Sequence, residues 1–164
     1  MAAVIVVAVT HVGYKPDIEK YLKLPIPAGL VEEMGLEYSV TKEQIEELCS
    51  QVRLLVATIV RRNKSDLTAS IPIDQTLHFF ILSMKRWAEE MKVLDAEIQH
   101  DLYVNDHSSL ETARARYVMS VQEVMQTALD YNVPFIKKWW PDDHLAGGIA
   151  ARQFEKRIEY DKSY

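Results

Sequence analysis

Leu77, Phe80, Met84, Trp87, Met91, Leu94 and Ile98 follow one another at intervals that alternate between three and four residues. That spacing lines one side of an α-helix with apolar side chains and lays it against other helices. It predicts a long helix over residues 74–102 and, with it, an all-α fold. The same spacing narrows the functional reading, because a face filled with large apolar groups has no place for the polar ligands of a cofactor. Function is therefore sought at the surfaces.

Two further periodic runs supply the rest of an antiparallel helical bundle. Thr41 and Gln44 form a capping-box pattern ahead of Ile45, Leu48, Cys49, Val52, Leu55, Val56, Ile59 and Val60. Ser108 and Glu111 repeat that pattern before Leu110, Tyr117, Val121, Val124, Ala128 and Tyr131, and Pro134 stops the run. The expectation is three long antiparallel helices with shorter ones, among them a piece opened by Pro16-Asp17 and ended near Leu22. Residues 36–40 alternate weakly, as a strand does.

A chain of 164 residues, 48% hydrophobic and 26% charged, suits one globular domain spanning residues 1–164. Residues 1–12 then form an extended N-terminal arm and residues 152–164 a C-terminal arm. The net charge of −5 disfavours non-specific attraction to polyanions. Cys49, the one cysteine, cannot form an intrachain disulfide and falls on an apolar helix face, which fits a small core residue in a reducing, cytoplasmic compartment or an assembled particle. Residues 2–9 are too few to span a membrane and follow no basic residue, so neither a membrane anchor nor a secretory signal is expected. Their β-branched content predicts a strand instead. Its backbone groups need an extended partner, for which residues 36–40 and 70–73 are the intrachain candidates and another subunit the alternative.

Chemistry-bearing patterns are sparse. Glu97 and His100 have the Glu-x-x-His spacing of bundle metal sites, yet the chain holds no second such pair. His78 sits on the second helix, Glu43, Glu46 and Glu47 cluster on the first, and Asp142 follows Pro141 as a helix cap would. These patterns read as boundary or solvated positions, so no catalytic, cofactor or metal residue is assigned and an enzyme is not expected. A metal- or haem-binding bundle using His78, Glu97 and His100 is the rival reading.

The preferred role is a non-enzymatic assembly subunit that contacts protein partners, itself or other subunits, most simply as a homo-oligomer. Its contact residues are Val4 and Val6 in the N-terminal run, Phe135, Trp139 and Trp140 at an aromatic corner, and Phe154 and Tyr160 in the C-terminal arm. Adjacent tryptophans diverge by about 100° on a helix, so one of the pair is expected to meet a partner. Arg61, Arg62, Lys64, Arg114 and Arg116 give a nucleic-acid-packaging alternative its phosphate-binding candidates. In architecture, an acidic bundle with extended termini resembles the coat proteins of rod-shaped and filamentous viruses, which implies an assembly role and no site residues.

Overall fold

The computed structural model describes residues 4–9, 17–62, 67–86, 96–101 and 110–142. In chain order these form β1 (Val4–Val9), α1 (Ile18–Leu22), α2 (Leu30–Glu37), α3 (Lys42–Arg62), α4 (Ile71–Arg86), β2 (Ala96–Asp101) and α5 (Leu110–Tyr131), followed by a 3₁₀ turn at Lys137–Trp139. The fold is helical, with the helices packed against one another.

Local signals set most helix ends. At the start of α3, the Thr41 N–H donates to Gln44 Oε1 at 3.0 Å and the Gln44 N–H donates to Thr41 Oγ1 at 3.2 Å, which completes the capping box. Asp17 caps α1 by accepting from the Glu19 N–H. Gly29 opens α2 at φ +83°, a left-handed conformation that suits a residue without Cβ. At the end of α5, Asn132 turns left-handed at φ +52° while the Val133 N–H donates to the Ala128 carbonyl and the Asn132 N–H to that of Leu129. This Schellman arrangement ends the helix at Tyr131, three residues before Pro134.

The hub of the molecule is α3. Residues 54–60 are all buried, so that stretch of the helix is enclosed on every side, and α1, α2, α4 and α5 all pack on α3. Its Cys49 lies wholly in the core, where burial pushes the thiol up to about 12. At neutral pH the native thiol is therefore expected to stay unreactive toward a disulfide reagent such as DTNB and to titrate only on unfolding. Full reaction under native conditions would contradict this placement.

The long helix expected over residues 74–102 is not what the chain forms. Helix α4 starts earlier, at Ile71, and residues 96–101 are a strand. Trp87, Met91 and Leu94 lie outside the described residues. The strand answers the unmet backbone of the N-terminal run: β1 pairs with β2 antiparallel, with Val4 opposite Asp101 and Val9 opposite Ala96. A row of β-branched residues whose N–H and C=O groups must be paired outweighs the weak helical preference of the short segment containing Ile98. Neither of the two expected partners is a strand, and helices take up part of each. Helix α2 continues through Gly35 to Glu37, and α4 already contains residues 71–73.

Candidate interaction surface

The aromatic corner is built onto α3. Glu47 and Gln51 stand one helical turn apart, and each receives one indole: Trp139 Nε1 donates to Glu47 Oε2 at 2.9 Å, and Trp140 Nε1 donates to Gln51 Oε1 at 3.0 Å. Gln51 is fully buried and is used from both ends, because its Oε1 also accepts from the Ile136 N–H and its Nε2 donates to the Pro134 carbonyl. The Ser70 hydroxyl donates to the Trp139 carbonyl and the Tyr117 hydroxyl to that of Pro141, so the residue just ahead of α4 and helix α5 grip the same segment. Phe135 stacks on Trp140 with ring centroids 6.1 Å apart.

Trp139 and Trp140 are consequently 1% and 0% exposed, which corrects the expectation that one of them meets a partner. The 100° divergence applies to an α-helix. Here Trp139 ends a 3₁₀ turn and Trp140 lies beyond it at φ −122°, ψ 67°, so the backbone aims both rings inward. Phe135, half-buried against Trp140, belongs to the same plug.

Charge holds the rim of the corner. Hydrogen bonds from Lys138 and then Trp139 hold the Glu47 carboxyl below the ordinary carboxylate range. A carboxyl depressed in the folded state stabilises fully above its unfolded pKa, and the contribution fades as pH falls through the folded value. The melting temperature should therefore drop as pH falls below about 4.5, and the drop should be smaller in Glu47→Gln. An identical pH profile in the variant would exclude Glu47 as a source of acid sensitivity.

The other expected contacts fall unevenly. Val4 and Val6 lie on β1 and are engaged through their backbone by β2. Phe154, Tyr160 and Lys64 lie outside the described residues. Arg61 is bound by Asp130, donates to Thr127 and covers the Tyr131 ring at 5.5 Å, so it ties the ends of α3 and α5 together. Its guanidinium also holds the Asp130 carboxyl below its usual range. Arg62 is exposed at the end of α3, and Arg114 and Arg116 are exposed on the N-terminal half of α5. The structure does not gather these arginines into one described patch.

Residues 97 and 100 lie on β2, not on a helix, where the Glu-x-x-His spacing of bundle metal sites would need them. Among the described residues no group of three histidine, cysteine or acidic side chains is arranged to hold an ion. His78 is half-buried with its ring edge-on to Phe79. Burial, with the charges of Glu37 and Asp74, pushes the Tyr38 phenol up to about 12, and its hydroxyl donates to Gln75. It therefore stays protonated at neutral pH.

The surface that stands out is the outer face of α5. Tyr117, Ser120, Val124, Thr127 and Ala128 face the core, while Val118, Met119, Met125 and Leu129 are 48%, 56%, 42% and 74% exposed. At about 100° per residue, Val118, Met125 and Leu129 point within roughly 40° of one another, with Ala115 and Gln122 beside them. Known families, curated proteins and solved structures offer no match to the chain. Reading the surface therefore rests on its physics. A groove of about 320 Å³ lies between α2 and α4, lined by Glu33, Leu36, Glu37 and Phe79.

The exposed stripe was readable in principle. Val118, Met125 and Leu129 have helical spacing of their own, opposite the inner-face residues on the same helix. What hid it was the stronger aromatic signal at 135–140, which belongs to the core. Among the described residues no helix is long and apolar enough to cross a membrane.

Proposed function

We propose that the chain is a non-enzymatic subunit of a larger protein assembly, docking through the outer face of α5. The supporting observation is the row Val118, Met125 and Leu129, left to solvent on a 22-residue helix whose opposite face is core. Isolated exposed apolar residues are ordinary, but an aligned set along one helix is the mark of a contact surface. Methionine suits such a surface because its flexible thioether adapts to a partner's shape. The N-terminal run and the C-terminal arm remain secondary contact segments in this reading.

The test is the double variant Met125→Glu/Leu129→Glu. Native protein is expected to behave as an oligomer or a stable complex by light scattering, and the variant to lose that state. Its unfolding free energy should stay within about 0.5 kcal/mol of the parent, as for surface sites generally. A native protein that is monomeric and complex-free, with the variant indistinguishable from it, would overturn the proposal.

A further inference from the structure

We draw no further inference here: the strongest candidate, the exposed apolar stripe of Val118, Met125 and Leu129 along the outer face of α5, belongs to the docking reading already given, and nothing in the structure shows what covers it.

Discussion

Trp140→Ala is expected to cost about 3–5 kcal/mol of folding stability, the range for truncating a large buried aromatic. The ring is fully enclosed, stacks on Phe135 and spends its one polar atom on Gln51. Truncation removes the apolar contacts, opens a cavity between α3 and the 134–140 segment, and leaves Gln51 Oε1 with a single donor. For a chain of this length that loss corresponds to a fall in melting temperature on the order of 10 °C. Equilibrium denaturation followed by circular dichroism reads it directly. A change below about 1 kcal/mol would mean that the corner is not part of the core.

Gln51→Leu should also be damaging despite the similar volume and greater hydrophobicity of the new side chain. The substitution strands the buried Trp140 Nε1–H and takes away the part-buried partners of the Ile136 N–H and the Pro134 carbonyl. A buried orphan costs about 1–3 kcal/mol and the two part-buried groups add less, so a loss of about 2–3 kcal/mol is expected, against the small gain from removing one amide. Denaturant unfolding measures it, and a neutral or stabilising result would show that the segment rearranges to satisfy itself. Combined with Trp140→Ala, the loss should fall short of the sum, because removing the indole also removes one of the stranded donors.

Together these variants separate two roles that the sequence blurs. Changes at the corner should lower stability without acting on association in particular, and changes at Leu129 should abolish association while leaving stability intact. A stable Trp140→Ala protein that had lost its oligomer would reverse that assignment.

Much of the helical framework was legible locally. The Thr41 and Gln44 reciprocal cap, the Asp17 cap and the apolar repeat from Ile45 to Val60 each depend on residues within a turn or two of one another, and each appears where the spacing puts it. The burial of Cys49 followed from the same repeat. Harder to read was the segment around Ile98, whose spacing continues a helical pattern that the chain abandons. Its conformation is set by β1, some ninety residues away. The candidate surface was legible only as an unremarked second stripe on α5.

By itself, then, the sequence determined where α3 and α5 run, how several helices begin, and that the β-branched N-terminal run would be extended, because propensity, capping and periodicity act over a few residues. Only the tertiary structure decided that β2 pairs with that run, that α3 is the hub, and that both tryptophans go inside while Val118, Met125 and Leu129 stay out. Those outcomes depend on which distant groups meet: Glu47 and Gln51 accept the two indoles across about ninety residues of chain. A buried polar group commits to its partner because leaving it unpaired costs more than any local preference supplies.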